Sequence, residues 1–168
     1  MGPTLRKLRP AKLGKRLRIL AKTLAGHANR VAENAVAIGQ RLGLDRDYLE
    51  DLHIAGLLHD VGMLAMPDTL LRKPYSLLHS GDRKRIRDHP VLGEATLMAL
   101  ESMDPVAELI RHHHELLDGS GFPDGLTSED LSRSVRILAV ANMYSSLRRG
   151  GVFVRGLSPE DALTFLWG

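Results

Sequence analysis

Cysteine is absent from all 168 residues, which excludes disulfides, thiolate metal ligands and a cysteine nucleophile. The absence suits a reducing compartment, so we expect a cytoplasmic protein. Aromatic residues make up only 4% of the chain, and the core must therefore consist mainly of Leu, Ala, Val and Ile. No apolar run approaches the ~20 residues of a membrane span, and no signal-peptide pattern opens the chain. At this length we expect one domain with a buried core.

Acidic residues are missing from the N-terminal segment, residues 1–22, which holds eight of the 23 basic residues. The remaining 15 basic residues stand against 20 acidic ones, so residues 23–168 carry a net charge of −5. Such a basic arm could dock on phosphate, a membrane surface or an acidic partner. Leucines at helical spacing favour instead a solvated amphipathic helix, at Leu13, Leu17, Leu20 and Leu24. We therefore predict a basic N-terminal helix or linker over residues 1–22 and a separate domain over 23–168. Without interleaved aromatic residues, no nucleic-acid partner is expected.

The spacing of apolar residues predicts helices along almost the whole chain and gives few strand signals. We expect helices over 27–43, 46–60, 83–87, 90–100, 104–117 and 135–147. Gly43 should end the first of these, and Asp45 should cap the second. Ser158 and Pro159, followed by two acidic residues, are typical of a further helix start. The predicted fold class is all-α, a single-domain helical bundle.

Histidines and acids stand at the ends of several apolar runs. They are His27, His59 with Asp60, His89, and the run His112, His113, His114 and Glu115. Imidazole nitrogens and carboxylate oxygens are the usual ligands of Zn, Fe and Mn, so the pattern predicts a metal site between helices. Adjacent helix residues lie about 100° apart, so His59 and Asp60 can share a centre only near the helix end. A carboxylate there can also bridge two cations.

Each of these histidines has a structural alternative when it is taken alone. His59 and Asp60 could simply cap a helix, and a single histidine at a helix start, such as His89, is usually structural. That alternative must hold separately at every position, whereas one metal site accounts for all of them. We interpret His53 and His79 as incidental. The glycine-rich segment 118–125 could likewise be an ordinary connection, but glycines also let a backbone turn tightly or approach a ligand.

The combined motifs resemble those of HD-GYP domains, a branch of the HD phosphohydrolase superfamily. The matching segments are His59–Gly62, Pro67–Asp68, His89–Gly93, His113–Pro123 with Phe122 in place of the family's tyrosine, His27 with Arg30 and Val31, Ala139–Asn142, and Leu157–Ala162. The resemblance covers roughly residue 20 to the end of the chain, and the spaced combination of motifs is highly specific.

The resemblance implies an HD-type helical bundle that hydrolyses cyclic di-GMP, or a related phosphoester, to pGpG or GMP. It also implies one or two divalent cations, Fe, Mn or similar, in a pocket lined by helices. One cation would be held by His27, His59, Asp60 and Asn142, and another by Asp60, His89, His113 and His114. Asp60 would bridge the cations and the attacking hydroxide. Substrate and loop contacts would come from Glu115, Asp118, Gly121, Phe122, Pro123, Arg148 and Arg149.

Three departures from the family pattern fall on the expected site. Asn142 stands where the family has aspartate, Met63 where it has lysine, and Gly151 where it has a phosphate-binding arginine. Arg148, Arg149 or Arg155 could replace that arginine. An amide oxygen can ligate a cation but carries no charge, so we predict weaker metal binding and impaired turnover. Two alternatives stay open. One is a catalytically degenerate domain that binds metal or nucleotide as a signalling adaptor. The other is a protein-interaction module in which the basic arm and the glycine-rich loop carry the function, with a partner signalling protein at the loop.

Overall fold

The computed structural model describes residues 10–71, 73, 77–150 and 156–167, and of residues 10–25 it describes the backbone alone. Over these ranges the chain is helical, which confirms the predicted all-α class. The helices are α1 (Pro10–Arg41), α2 (Arg46–Leu58), α3 (Asp68–Leu71), α4 (Ser80–Arg87), α5 (His89–Leu97), α6 (Asp104–His112), α7 (Arg133–Arg149) and α8 (Pro159–Trp167), with a 3-10 helix (Val61–Ala65) between α2 and α3. None of the described helices is long and apolar enough to cross a membrane.

The helix ends follow the capping signals in part. Gly43, just beyond α1, has a φ of 73°, a left-handed conformation that glycine adopts readily at the end of a helix. Ser158 caps α8 as predicted, because its Oγ accepts a hydrogen bond from the Asp161 N–H at 3.0 Å. Asp45 occupies the N-cap position of α2 as predicted, but its side chain makes no capping hydrogen bond.

Several helix bounds differ from the prediction. α6 ends at His112 rather than at residue 117, because the chain turns there toward the glycine-rich segment. α4 begins three residues earlier than predicted, and α5 ends three residues earlier. α1 is continuous across residues 22 and 23, where a boundary was predicted. The predicted leucine stripe at residues 13–24 lies outside the described side chains.

The main apolar core lies between α1, α2, α6 and α7, and α5 packs on α6. Its fully buried side chains include Val31, Leu52, Ile110, Val135 and Leu138. Burial of each such side chain contributes about 1.5–3 kcal/mol relative to its exposure. This packing brings the C-terminal ends of α2 and α6 and the middle of α1 and α7 toward one region, which is where the histidines lie.

Gly62 brings the 3-10 helix into direct contact with α5. A Cβ atom there would lie 1.9 Å from the His89 carbonyl oxygen and 2.7 Å from the Gly93 nitrogen. Only glycine allows this approach without a shift of backbone atoms. Asp60 lies two residues before Gly62 and His89 opens α5, so this contact sets the distance between their side chains.

A second, smaller apolar cluster lies beside this contact. Its buried members are Met66, Leu70 and Leu78, and Met63 packs against them. Met63 therefore fills apolar space in this chain, and a lysine at that position would lose hydration of its ammonium group unless it turned away. The change from the family's lysine has a packing consequence as well as a loss of charge.

Candidate metal centre

Five segments bring the predicted ligands together. His27 comes from α1, His59 and Asp60 follow α2, His89 opens α5, His113 and His114 follow α6, and Asn142 comes from α7. Among the described residues they form two groups, each with ligand atoms within 4.8 Å of one another. The first group contains His27, His59 and Asp60, and the second contains His89, His113 and His114.

Asp60 joins the two groups. Its Oδ2 lies 3.3 Å from His59 Nε2, and its Oδ1 lies 3.4 Å from His89 Nε2. The two oxygens of one carboxylate thus face different groups, which is the arrangement that a carboxylate bridging two cations requires. The carboxyl group is partly buried, with 24% of its side chain exposed.

Three imidazoles are oriented by hydrogen bonds to main-chain carbonyl oxygens of the preceding helices, α2, α4 and α6. The Nδ1–H groups of His59, His89 and His113 donate to the carbonyl oxygens of Gly56 (2.9 Å), Ile86 (2.6 Å) and Ile110 (2.6 Å), each three residues earlier. With the proton on Nδ1, each ring directs its Nε2 toward the centre of the site. Metal-binding histidines commonly donate their other ring N–H in this way.

The facing nitrogens lie at distances that suit a shared cation. His89 Nε2 and His113 Nε2 are 3.3 Å apart, and each ring has its Nδ1 proton bound to a carbonyl oxygen. Two neutral rings in this tautomer present lone pairs to each other, which a cation between them would satisfy. Two ligand atoms about 2.1 Å from one cation lie roughly 3.0–3.4 Å apart. The donor set therefore fits a metal ion.

His27 contributes an unpaired polar atom to the first group. The ring is buried, its Nε2 lies 3.1 Å from Asn142 Oδ1, and its Nδ1 is buried with no hydrogen-bond partner among the described residues. A neutral imidazole that donates from Nε2 to the amide oxygen leaves the Nδ1 lone pair unsatisfied. A cation held by His27 Nε2 and Asn142 Oδ1 would instead require the proton on Nδ1, so the 3.1 Å separation of Nε2 and Oδ1, and not the unpaired Nδ1, is what fits a shared cation.

The electrostatics of the site favour the protonation states that bind metal. Burial lowers the pKa of His27 to about 4 and that of His114 to about 3, and it holds the pKa of His113 well below its ordinary value. Burial alone would raise the pKa of Asp60, but the neighbouring imidazoles, His59 first, bring it below its ordinary value. The carboxylate is therefore ionised near neutral pH, as metal ligation requires.

His59 departs from this pattern. Burial opposes its protonation, but the Asp60 carboxylate outweighs burial and raises the pKa of His59. In the metal-free chain His59 is therefore the imidazole of the first group that holds a proton most readily. A cation that bound there would displace this proton, so metal uptake should release protons at this residue.

The glycine-rich loop is held by Glu115, which does not itself face the metal groups. Its buried carboxylate accepts hydrogen bonds from the N–H groups of Asp124 (2.7 Å), Gly125 (3.1 Å) and Leu126 (3.1 Å). Gly121 packs against the same segment, because a Cβ there would lie 2.5 Å from Glu115 Cα. The carboxylate therefore serves as an anchor for the loop.

Asp118 has a similar local role at the start of the loop. Its exposed carboxylate accepts hydrogen bonds from the Ser120 N–H at 2.9 Å and from the Ser120 hydroxyl at 2.7 Å. These bonds lower the pKa of Asp118, with the bond from the hydroxyl as the larger cause. Asp118 closes a turn and reaches neither metal group.

Phe122 is the loop residue that touches the site. Its ring stacks on the His114 imidazole, with the centroids 4.7 Å apart and the planes 18° from parallel. The Arg87 guanidinium lies over the same phenyl ring, 4.4 Å from its centroid. Pro123 follows at a cis peptide bond and is half-buried. Phe122 therefore links the loop to the second metal group.

Comparison with known proteins now decides the family. A family model described as the HD domain matches residues 15–168. The chain belongs to the HD domain family. HD domains are metal-dependent, and both groups described above could hold a metal.

Curated relatives and one solved structure extend this result. A cyclic di-GMP phosphodiesterase of Pseudomonas aeruginosa is 31% identical over 138 residues, which cover 82% of this chain and 33% of that protein. A 3'3'-cGAMP-specific phosphodiesterase of Vibrio cholerae is 30% identical over 140 residues, covering 83% of this chain and 32% of that protein. A cyclic di-GMP phosphodiesterase response regulator of Xanthomonas campestris is 31% identical over 140 residues, which cover 82% of this chain and 37% of that protein. The chain thus spans about a third of the length of these relatives.

The fold is similar to that of an HDG"Y"P protein from Bdellovibrio bacteriovorus. The TM-score is 0.68 at 24% identity, with 94% of this chain and 51% of that chain covered. The resemblance to HD-GYP domains that the motifs predicted is confirmed by these matches.

The arginines at the end of α7 have different surroundings in this HD domain. Arg148 donates a hydrogen bond to the Leu157 carbonyl oxygen and so ties α7 to the segment before α8. Arg149 is exposed, and its charge adds to the lowering of the pKa of His27, after burial and His59. Arg149 is therefore the one whose charge reaches the metal groups. Gly151 and Arg155 lie outside the described residues.

The second metal group opens into a cavity of about 810 Å³. Its metal-group residues are His89, His113, His114 and Asn142, its arginines are Arg83, Arg87 and Arg136, and its apolar wall includes Leu117, Leu131, Val140 and Met143. Val140 and Met143 are 46% and 37% exposed, so this face of α7 is open toward the cavity. A cavity with cations, metal ligands and an apolar wall suits an anionic ligand with bulky uncharged parts.

Two residues of the HD domain were missed by sequence reasoning. Arg111 pairs bidentately with Asp124, at 2.7 and 2.8 Å, and also binds Glu94, while His112 Nε2 lies 3.0 Å from the same Asp124. His112 is thus turned away from the metal groups and helps to hold the loop. Arg87 was also missed, because it is one of four basic residues within positions 83–87 and no signal distinguishes it from the others.

Proposed function

We propose that this HD domain is a metal-dependent phosphodiesterase that hydrolyses cyclic di-GMP or a related cyclic dinucleotide, with reduced turnover. The observation that carries the proposal is the position of Asp60, whose two carboxylate oxygens face the two histidine groups at 3.3 and 3.4 Å. The names of the curated relatives, which are cyclic di-GMP and 3'3'-cGAMP phosphodiesterases, support the substrate class. Because the chain has no cysteine, we expect it to act in the cytoplasm.

The proposed ligands follow the two groups. His27, His59, Asp60 and Asn142 would hold one cation, and Asp60, His89, His113 and His114 would hold the other. Nitrogen and carboxylate donors without thiolates suit Fe or Mn. Bound cations would supply an activated water and neutralise the charge that develops at phosphorus.

The chain's own residues would prepare the site before any cation binds. The carbonyl tethers of His59, His89 and His113 fix the ring orientation, so little side-chain entropy is lost on binding. The ionised Asp60 draws cations to the point between the groups. The apolar wall formed by Leu131 and its neighbours excludes water from one side of the cavity, which strengthens electrostatic interactions inside it.

Reduced turnover is proposed because of Asn142. Its amide oxygen lies 3.1 Å from His27 Nε2, so it occupies a ligand position but brings no charge. Asp60 then supplies the carboxylate charge for both cations. The first cation should bind more weakly than the second, and a partly filled pair would hydrolyse substrate slowly.

The first experiment is the metal content of the chain after anaerobic reconstitution with Fe(II) or Mn(II) and desalting. About two metals per chain are expected, followed by slow conversion of cyclic di-GMP to pGpG or GMP. Asp60→Asn should remove both properties. Asp47→Asn, at an exposed acid in the first turn of α2, is the matched control and should change neither.

The outcomes separate the proposal from its alternatives. Two metals and no hydrolysis of cyclic di-GMP or 3'3'-cGAMP would contradict the enzymatic proposal and favour a metal- or nucleotide-binding adaptor domain. No bound metal would contradict both, and would favour a module whose glycine-rich loop binds a partner signalling protein.

A further inference from the structure

Arg87 differs from the other arginines that line the cavity. Arg83 and Arg136 each donate from Nε to a main-chain carbonyl oxygen, at 3.3 and 3.0 Å. The Arg87 guanidinium makes no hydrogen bond to any residue that the structure describes. Its contact is with the Phe122 ring, whose centroid lies 4.4 Å from Cζ. A guanidinium held by a ring keeps its N–H donors available for an anion.

The Phe122 ring that contacts the Arg87 guanidinium is fixed by its own neighbours. The Phe122 ring stacks on His114 at 4.7 Å, so the guanidinium is linked to the second metal group through two aromatic rings. The loop that carries Phe122 is anchored by the three hydrogen bonds to Glu115 and by the Arg111 pair with Asp124. Arginine pairs bidentately with phosphate, and a guanidinium fixed in advance loses less entropy when it does so.

We propose that Arg87 binds a second anionic group of the cavity's ligand, a phosphate other than the one that lies at the metal groups. The inference rests on the proposed function, because it assumes a phosphoester at those groups. The contacts that connect Arg87 to the second metal group run through the Phe122 and His114 rings, at 4.4 and 4.7 Å, so we assign Arg87 to a phosphate other than the one among the facing Nε2 atoms. The ligand class that fits is therefore a dinucleotide with two phosphates.

The test is equilibrium binding of a bis-phosphorothioate analogue of cyclic di-GMP, which resists hydrolysis, to the full Mn(II)-loaded chain. Arg87→Gln should weaken binding roughly 10- to 100-fold, as expected for the loss of charge-assisted hydrogen bonds. Arg85→Gln is the matched control, because Arg85 is exposed on the same helix and lines a different cavity. It should stay within about twofold of the wild type, given the weak effect of an exposed charge. Arg87→Lys should be intermediate, since it keeps the charge but loses the planar, bidentate group.

Separate readouts distinguish the failure of this inference from the failure of the proposed function. Equal weakening by the Arg87 and Arg85 substitutions would assign the effect to net charge and would overturn the Arg87 site, as would no weakening at all. Metal content and hydrolysis of bis(p-nitrophenyl) phosphate, which has one phosphate, test the proposed function in the wild-type chain. If the wild type has both properties while the Arg87→Gln variant binds the analogue normally, the Arg87 site alone is wrong. A wild-type chain that binds metal but not the analogue would remove the site and the substrate class together.

Discussion

Asn142 leaves the first metal group without a carboxylate of its own. With an aspartate at this position, the two proposed cations would have two carboxylates between them, but here Asp60, which faces both groups, is the one carboxylate among the proposed ligands. The amide is buried on α7 and its oxygen already lies 3.1 Å from His27 Nε2, so the geometry of a ligand is present without its charge. The charge of a single side chain therefore separates this site from one whose first group has a carboxylate of its own.

Replacement of Asn142 by aspartate should strengthen the first cation's binding roughly tenfold, because ligand charge tunes cation affinity. We expect metal content to rise toward two per chain at limiting Mn(II), and hydrolysis of cyclic di-GMP to rise with it. Metal analysis after desalting and a product assay measure both.

The control for this change is Asn34→Asp. Asn34 also faces α7, where its Nδ2 donates to the Ser145 hydroxyl at 3.1 Å, but it belongs to neither metal group. It should leave metal content unchanged. Equal gains from both substitutions would show that added negative charge, and not a ligand, is responsible.

At the scale of secondary structure elements, the close contact between the 3-10 helix and α5 sets the position of the Asp60 carboxylate between the two metal groups. Alanine at Gly62 would place a methyl group against the His89 carbonyl oxygen. We expect Gly62→Ala to lower the free energy of unfolding by about 1–3 kcal/mol through overpacking, and to reduce metal content because Asp60 and His89 move apart. Urea denaturation and metal analysis test this.

Gly81 provides the comparison, because a Cβ atom there would meet nothing within 4 Å. Gly81→Ala on α4 should stabilise the chain by about 0.5–1 kcal/mol, through helix propensity, with no change in metal content. Normal metal binding by the Gly62→Ala variant would show that the position of Asp60 between the metal groups does not depend on the close contact of Gly62 with α5.

The ion pair between Arg111 and Asp124, which holds the glycine-rich loop, predicts a pH dependence of the stability of the fold. The hydrogen bond from Arg111 is the main reason that the pKa of Asp124 lies below its ordinary value of 3.8. A carboxyl group with a lowered folded-state pKa stabilises the fold above its unfolded pKa, and this contribution is lost as the pH falls through the folded-state value. Asp124→Asn should therefore destabilise the chain by about 0.5–1 kcal/mol near pH 6, and the difference should shrink as the pH falls below about 4.

Thermal denaturation of the wild type and the variant across this pH range measures the effect. Glu129→Gln, at an exposed acid in the same connection with no described contact, should show no such pH-dependent difference. A difference between wild type and the Asp124→Asn variant that persisted unchanged at acid pH would assign the effect to packing and not to the ion pair.

Sequence periodicity predicted most of the elements, and the family resemblance named the side chains that the structure brings together, but neither predicted the contacts that hold the loop. The apolar repeat that ends at His59 predicted α2 well, because helix periodicity is a local property. Arg111 and Asp124 meet across 13 residues, and nothing in either residue marks it as the partner of the other. The same is true of Arg87, whose contact with Phe122 depends on how α4 and the loop pack.

At the scale of the whole molecule, the metal groups draw on helices from both ends of the chain. His27 and Asn142 are separated by 115 positions, and the segments between them supply the other ligands. A cation that binds the folded chain alone should stabilise it by about 2.7 kcal/mol at a hundredfold excess over Kd. We expect Mn(II) to raise Tm and a chelator to reverse the rise.

Asp60→Asn should lose most of this increase in Tm, whereas Asp47→Asn should retain it. The measurement is differential scanning calorimetry of each variant with Mn(II) and with chelator. An unchanged Tm on chelation of the wild type would mean that the cations do not couple to the stability of the fold.

The hydrogen bonds from Nδ1 of His59, His89 and His113 have a consequence for motion. The rings of His59 and His113 are tied to the helices that they follow, α2 and α6, and the ring of His89 is tied to Ile86 of α4, so each ring moves with that helix. A partner or upstream domain that tilts α4 and α5 together against α2 would carry the His89 nitrogen with them and lengthen its distance from Asp60. The distance between the two histidine groups would then change whenever the packing of these helices changes.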